Sequence, residues 1–558
     1  MFNKRKIIVM LVLIFLVLLI AYMQTNNIFK ETPKNISNYK LNLNDSKLNY
    51  NNALNYLHDI TLEKHTFGTE ENIRTFSTIT NYLDKIGVNY FVQDDILDYD
   101  YWYNFLYYTK EEFIESMIEA NPKFKDYLKN NYNDDIDLYF EDQFKDAREQ
   151  GLNVYTYDDF MLVTVCGSID NCEYKSYKEY INHELNTHYK RFIGKKMNNI
   201  IISLGKVDNN KDSIILSAHY DSGLNLNDEN ISYGASDDGM NVAALIENAR
   251  VLKDKNFNNN VYIALVNAEE NNYWGAEYLV NSNAIKNIKL IINFDNSGEG
   301  GHLLLHRYTD GLLAKEYLHN IKNNHTYSLS EYFYKYIDLN FGIGAYGSDY
   351  EVYAKKYNSM DFALFMDNEN YHTNNDTYEN INIDSFKETI NTIYELINYY
   401  GNDTSSYDGT YDIWSFEIMN NLVLYMNRCT YNIVIYVLLI MFIPYLFYLL
   451  IRKNILKLII NIILYVLCII SLFILKDITI LLILPLVINS IISLLITNIK
   501  HRYVLGLVNY LLFLFISSQL IFKIISINKL GLLGFIIPIL YFINYIVQIK
   551  EKDNINLI

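Results

Sequence analysis

Seven residues with metal-ligand chemistry fall in one order along the middle of the chain: His219 and Asp221 in SAHYDS, Asp237 in GASDDG, Glu269 and Glu270 in NAEE, Asp295 in NFD and His372 in YHT. With Asp221 read as a supporting residue, the direct ligands are His219, Asp237, Glu270, Asp295 and His372, and Glu269 is left over. That set can hold two divalent metals and leave one carboxylate to move a proton. Two metals sharing a bridging carboxylate and a water is an arrangement used for amide hydrolysis. The nitrogen-and-oxygen donor set is compatible with zinc without selecting it, since manganese and cobalt accept the same donors. Taken singly, a His-x-Asp at a strand end is more often structural, and a Glu pair after a strand is usually a solvated loop start. A lone Asp295 would read as a helix cap and a lone His372 as a surface histidine. Their joint occurrence gives them weight.

The elements around them fit that chemistry. Residues 213–218 (SIILSA) read as a buried strand with His219 directly after it. Residues 261–268 (VYIALVNA) lead into Glu269 and Glu270, and residues 288–294 (IKLIINF) run into Asp295. Short continuous apolar runs are typical of parallel strands covered on both faces. The ligand groups then lie at the C-terminal ends of three strands, where open α/β sheets build their sites. Residues 242–252 put Val242, Leu245, Ile246, Ala249 and Leu252 on one helical face, with the helix start aimed at the site. Residues 385–400 repeat the pattern with Phe386, Ile390, Ile393, Ile397 and Tyr400. Ser385 and Glu388 have capping-box spacing there, and Gly401 sits where such a helix would stop.

The motifs AHYDS, GASDDG, NAEE, NFDNSGEGG and YHTNNDT resemble, in order, those of the M28 family of zinc peptidases, the aminopeptidase-like metallopeptidases. The resemblance runs from about residue 48 to 401 with a large insertion, and HTFGTEENIRTFSTITNYLDKIGVNYFVQDD is similar to the family's opening helix and strand. It implies that Asp237 bridges two Zn2+ ions per chain. His219 and Asp295 would complete one metal, Glu270 and His372 the other. Glu269 would be the general base towards a metal-bridging hydroxide, and Asp221 would hydrogen-bond the far nitrogen of His219 and fix its tautomer. Where the family often has Asn-x-Ser-Gly after the bridging Asp, this chain has Asp238, Gly239, Met240 and Asn241. Where it often has Ser-Asp-His, Tyr350 replaces the His. These differences bear on substrate preference rather than on the ligand set. NFDNSGEGG and the apolar C-terminus resemble the membrane-bound branch of the family, found in endoplasmic reticulum and vacuole.

Composition narrows the alternatives. The chain has 558 residues and a net charge of −17, which argues against nucleic acid as a partner. Tyr is abundant (52), and such a bias can reflect nucleotide composition, so it carries no binding function. Four Cys are no disulfide scaffold, although Cys166 and Cys172 are close enough in sequence for one bridge. The remaining histidines, His302 and His325 among them, have no motif context and read as structural or surface residues.

Residues 7–23 are an uncharged apolar run after Lys4, Arg5 and Lys6, read as an uncleaved anchor because no small-x-small cleavage site follows. Five more spans are read near 432–451, 458–475, 478–498, 503–525 and 530–548. Arg452, Lys453, Lys457, Lys500, Arg502, Lys550 and Lys552 fall on alternate loops. The positive-inside rule then puts both termini in the cytoplasm and residues 24–431 on the other side. No acidic residue lies within a span, which speaks against a transporter.

The reading is a three-layer α/β domain with a mixed, mostly parallel central sheet, joined to an all-α transmembrane C-terminal domain. Its parts are an anchor (1–24), the start of the peptidase domain (25–99), an acidic Tyr-rich insertion with helical patterns (100–190), the metal-binding core (191–402), a polar linker (403–431) and five membrane helices (432–558). The insertion reads equally as a lid or a bland extension. The expected function is a membrane-anchored dinuclear zinc aminopeptidase, with peptide substrates and the lipid bilayer as partners. The rivals are a glutaminyl-cyclase-like acyltransferase using one metal, and a non-enzymatic receptor or scaffold on the same fold. Relatives of the latter kind typically lose ligands, and all are present here.

Overall fold

The computed structural model describes residues 47–451 except 122, 170–171, 224–231, 328–346, 410 and 420–421, and also 459 and 461–462. The described chain opens with helices α1 (Tyr50–Ile60) and α2 (Glu70–Ile86). Asn49 and Thr69 cap their starts by accepting from Asn51 N and Asn72 N, and Gly87, at φ 69°, ends α2 in the left-handed region. Strand β1 (Asn89–Leu97) leads into the insertion, which forms six helices among the described residues. These are α3 (Tyr99–Leu106), α4 (Lys110–Ala120), α5 (Lys123–Tyr132), α6 (Ile136–Glu149), α7 (Tyr157–Cys166) and α8 (Tyr177–Thr187). Then follow β2 (Lys195–Leu204), β3 (Ser213–His219), α9 (Met240–Leu252), β4 (Asn260–Val266), α10 (Trp274–Asn281) and β5 (Ile288–Phe294). The domain continues through β6 (Leu304–Tyr308), α11 (Gly311–Asn320), α12 (Tyr350–Lys356), β7 (Ser359–Ala363) and α13 (Ile383–Tyr400). Strands β8 (Ile413–Met419) and β9 (Leu422–Asn427) and helix α14 (Arg428–Ile451) close it.

The seven-stranded sheet has the order β1-β2-β4-β3-β5-β7-β6. Its middle is parallel: β3 pairs with β4 and β5, and β5 pairs with β7. The flanking pairs β1–β2, β2–β4 and β6–β7 are antiparallel. Alternate side chains of each central strand feed two different cores, as a period of two requires. Ile214, Leu216, Val261, Ile263, Leu265, Leu290 and Ile292 pack with α1, α2, α9 and α13 on one face. Ile215, Tyr262, Ala264, Val266 and Ile291 pack with α10 and α12 on the other. This is the expected mixed sheet between two helical layers, and it explains why the strands read as unbroken apolar runs.

Two local expectations change. Helix α13 starts at Ile383, with Asn382 accepting from both Asp384 N and Ser385 N. The Ser385–Glu388 pattern is therefore not its cap, because Asn382 already supplies the acceptor, and Glu388 faces the loop at His302 instead. Residues 413–427, expected within a polar linker, pair as the β8–β9 hairpin. Ile413 enters the main core and Trp414 is 2% exposed.

Of the six membrane spans, 432–451 falls within α14, a 24-residue helix. Only part of its side chains belong to the described set, and among the described residues no helix is long and apolar enough to cross a membrane. Of 458–475 only residues 459 and 461–462 are described, and the other four spans lie outside the described residues.

Candidate active site

Because β4 and β5 flank β3 and both pair with it in parallel, the C-terminal ends of the three strands share one edge of the sheet. His219 is the last residue of β3, and Asp295 directly follows β5. After β4 the chain must turn sharply to bring two glutamates to the same edge. Ala268 makes that turn at φ 65°, a left-handed conformation that costs a non-glycine residue about 1–2 kcal/mol. Backbone strain of this kind is kept where the surroundings enforce it. Here the Asn267 and Asn72 amides pair reciprocally at 3.0 and 3.1 Å. Asn198 also accepts from Asn267 Nδ2 at 2.9 Å, and Asn199 accepts from Asn267 N at 3.1 Å. The Asp221 carboxylate accepts from Glu269 N at 3.1 Å and Glu270 N at 3.3 Å.

Asp237 is delivered by a different device. Gly234 turns at φ 64° ahead of α9, and the buried Asp376 carboxylate accepts from Ser236 N at 2.7 Å and Asp237 N at 3.4 Å. His372, at φ 53°, is also left-handed, as are the pocket-lining Asn272 and Tyr273, and the Tyr371 ring stacks on its imidazole at 4.0 Å.

The resulting geometry centres on Asp237. Its Oδ1 is 3.1 Å from His219 Nε2 and its Oδ2 is 3.0 Å from His372 Nε2. Each oxygen of one carboxylate thus faces a different imidazole. His372 Nε2 also lies 3.2 Å from Glu270 Oε1, and His219 Nε2 lies 3.9 Å from Asp295 Oδ1. Two groups result, His219–Glu269–Asp295 and Asp237–Glu270–His372, each with donor atoms within 4.8 Å of one another. All of these residues but His219 line a pocket of about 120 Å³, walled by Tyr273 and Tyr371. A Cβ at Gly347 would fall 1.4 Å from the Tyr273 hydroxyl, so only glycine leaves room for that wall.

The electrostatics are those of a site short of positive charge. Burial opposes the charged form of His219, but the carboxylates of Asp221 and Asp237 outweigh it and hold the imidazole well above its usual range. Burial likewise opposes His372, and Glu270 and Asp237 carry it up to about 11. Burial, then repulsion from neighbouring carboxylates, pushes Glu269 and Asp295 well above the ordinary range. Four carboxylates and two imidazoles make up the two groups. Divalent cations would reverse the penalty on the carboxylates.

The donor atoms fit such ions. Tetrahedral ligands at about 2.0 Å from zinc stand about 3.3 Å apart. The separations of 3.0, 3.1 and 3.2 Å around Asp237 match that edge. Asp237 Oδ2 and Glu270 Oε1 are buried and, despite the nearby His372 nitrogen, make no aligned hydrogen bond. A Cβ at Gly223 would stand 2.8 Å from Glu270 Oε1, so glycine keeps this side of the pair open.

All seven motif residues meet at this edge. The role given to Asp221 shifts, however. Its carboxylate is 3.5 Å from His219 Nδ1, whereas its backbone carbonyl accepts from that nitrogen at 3.1 Å. The carboxylate's closer partners are the Glu269 and Glu270 amides, so it sets the turn as well as the imidazole. Tyr350 lies over the Arg307 guanidinium at 4.6 Å. Three buried acids went unread as site groups: Asp376, Asp238 and Asp349. Burial pushes the Asp349 carboxyl up to about 8, and its Oδ1 has no hydrogen-bond partner among the described residues. Asp376 stands in the YHTNNDT motif, and that was the available signal.

Residues 199–397 match the model of peptidase family M28. The vacuolar membrane protease of Schizosaccharomyces pombe is 29% identical over 215 residues, covering 37% of this chain and 24% of that relative. That of Candida tropicalis is 30% identical over 207 residues, covering 37% of this chain and 22% of the relative. The chain therefore spans about a quarter of the length of the curated relatives it matches. Among solved structures, an aminopeptidase from Aneurinibacillus sp. strain AM-1 is 14% identical with a TM-score of 0.37, covering 65% of this chain and 96% of that one. The M28 match takes in every motif position from His219 to His372, so the family resemblance carried by their order holds over this stretch of the chain.

Proposed function

We propose that this protein is a membrane-anchored, zinc-dependent peptidase that removes N-terminal residues from peptides and holds two zinc ions per chain. The observation that carries the reading is the placing of one buried carboxylate, Asp237, between two imidazoles, with a further carboxylate beside each. His219, Asp295 and Asp237 would hold one ion, and Asp237, Glu270 and His372 the other. Bound there, the ions supply Lewis acidity at the scissile carbonyl and lower the pKa of a shared water.

Glu269 is the carboxylate left to move the proton. Its turn is fixed by Asp221, and burial pushes its carboxyl towards the protonated form, as suits a group that accepts a proton and gives it to a leaving amine. The small, carboxylate-rich pocket favours a chain end bearing a free amine over the middle of a peptide. Membrane attachment rests on the apolar runs of the sequence and agrees with the naming of the relatives as vacuolar membrane proteases. The alternation of Lys and Arg between the apolar runs supports a topology with both termini in the cytoplasm and the peptidase domain outside it. The Cys166–Cys172 disulfide, an oxidising-compartment feature, is in keeping with that placement.

The deciding experiment uses the purified full chain. Aminoacyl and N-acetylated peptides are offered with and without a chelator, and metal is counted per chain. Chelator-sensitive hydrolysis confined to free N-termini is the expected result. Cyclisation of N-terminal glutamine with one metal per chain would move the reading to an acyltransferase. No turnover of any peptide by metal-loaded chain would move it to a receptor or scaffold.

A further inference from the structure

Four chain segments outside the metal-ligand motifs converge at the β8–β9 hairpin. His302 follows the left-handed Gly301 (φ 88°) in the loop before β6, and His325 lies in the loop after α11. Glu388 projects from α13 and Glu417 from β8. None of these belongs to the carboxylate pocket described above. The two imidazoles stack face to face, 3.9 Å apart and 9° from parallel. His302 Nδ1 is 2.8 Å from Glu388 Oε2, and His325 Nε2 is 3.6 Å from Glu388 Oε1. His325 Nδ1 meets Glu417 Oε1 at 3.0 Å.

We propose that His302, His325 and Glu388 form a separate transition-metal site, oriented by Glu417, that fastens the hairpin to the peptidase domain. The argument begins with protons. Glu417 can only accept, so the proton of His325 sits on Nδ1, and a neutral ring then aims its Nε2 lone pair at the Glu388 carboxylate. A lone pair facing an anion at 3.6 Å needs a positive charge between them, and the separation is too long for a good hydrogen bond. A second proton, placed on His325 Nε2, would face the Glu388 carboxylate at that same long separation, and one on each ring would set two cations face to face. A divalent ion answers both problems, because it binds neutral imidazoles and neutralises the carboxylate.

The supporting shell is already built. A carboxylate on the far nitrogen of a ligating histidine is the usual outer partner of such sites. Glu417 Oε2 also accepts from Thr326 N at 3.2 Å, and Tyr317 Oη accepts from His325 N at 2.8 Å. Glu388 Oε1 accepts from Leu303 N at 3.3 Å. The three donor atoms lie within 4.8 Å of one another. Two histidines and one glutamate form a set that zinc accepts, and the Irving–Williams order lets cobalt or nickel report on it. Since Glu417 lies on the hairpin that runs into α14, an ion here would tie that helix to the domain.

The test is a metal count on full-length chain in detergent, independent of turnover. Chelator-stripped protein is reloaded with Zn2+, and separately with Co2+, and passed through a desalting column. The wild type is expected to hold one equivalent more than either His302→Gln or His325→Gln, while peptide hydrolysis by both variants is largely kept. The Co2+-loaded wild type should absorb more strongly in the visible than Co2+-loaded His302→Gln, in which only the pocket ions remain to absorb. If buried His325→Gln fails to fold, the half-exposed His302→Gln decides alone. Equal metal content in wild type and His302→Gln would overturn the proposal and leave an ordinary His–Glu ion-pair cluster.

Discussion

The end of the sheet at β3, β4 and β5 and the six-helix insertion between β1 and β2 are held together by opposite means. At the sheet end, each site side chain is set by directional bonds: Asp221 to two amides, Asp376 to two amides, Asn267 to three other asparagines. In the insertion, aromatic rings meet without such constraints. Trp102 touches Tyr101, Phe105, Tyr189 and Phe192, and Phe140 touches Phe113, Tyr139, Tyr157 and Phe160. The first region carries strain and crowded charge, which cost stability, whereas the second buries large apolar area, which supplies it. Substitutions at the sheet end should therefore remove chemistry with little loss of fold, and substitutions in the insertion should do the reverse.

The largest expected effect is that of Asp237→Ala. A carboxylate facing both imidazoles serves both proposed ions, so its loss should empty the pocket and end turnover. Asp295→Ala, beside His219 alone, should lose less metal. Elemental analysis of the two variants, each counted against the wild type, makes the comparison. Pocket metal retained in Asp237→Ala at the level of Asp295→Ala would refute the central position of this residue.

Glu269→Gln comes next. The side chain keeps its shape and its backbone clamp but can no longer take a proton. Turnover should fall by about 10²–10⁴ while metal content and thermal midpoint stay near wild type. Loss of metal in this variant would make Glu269 a ligand of the His219 group, with which it already clusters.

Trp102→Ala tests the other region. Trp102 is fully buried, and its ring lies 4.3 Å from that of Trp274. Truncating it should cost about 3–5 kcal/mol in denaturant unfolding. Trp274 N donates to Ala268 O, and Trp102, Trp274 and Ala268 share one core cluster, so this packing also backs the glutamate turn. A modest fall in kcat is expected with the loss of stability. A fall as deep as that of Glu269→Gln, in folded protein, would show that the insertion belongs to the catalytic machinery.

The difference between the regions also explains what the sequence made legible. Strand ends could be read because parallel strands buried on both faces leave unbroken apolar runs, and ligands such as His219 and Asp295 follow directly. The clamps could not: Asp376 holds an amide 140 residues away, and Asn72 pairs with an amide 195 residues away. Asn72, Asn198 and Asn199 stand in no ligand motif, yet with Asn267 these asparagines hold the turn. The hairpin was hidden among Asp, Ser and Asn residues, although Trp414 and Phe416 alternate with Ser415 and Glu417 at strand spacing. His302 and His325 stand 23 positions apart by number and meet only through tertiary packing, so no local pattern marks them.

The smallest expected effect belongs to Thr156→Ala, and it isolates the insertion from the site. Thr156 closes a capping box on α7, accepting from Asp159 N while the Asp159 carboxylate accepts from Thr156 N. Removing the hydroxyl leaves Asp159 N without that acceptor at an exposed helix start, where water replaces it in part. The cost should be about 1 kcal/mol. It should appear in the unfolding midpoint of the full chain, because α7 packs through Phe160 against Phe140 and Phe113 in the insertion core. Metal content and kcat should be unchanged, since no residue of α7 is among the pocket-lining side chains. A kcat that falls more than about threefold in folded Thr156→Ala, beyond what a 1 kcal/mol loss at a distant cap accounts for, would mean that the helices move during turnover, and the division between a directional site and a packed support would fail.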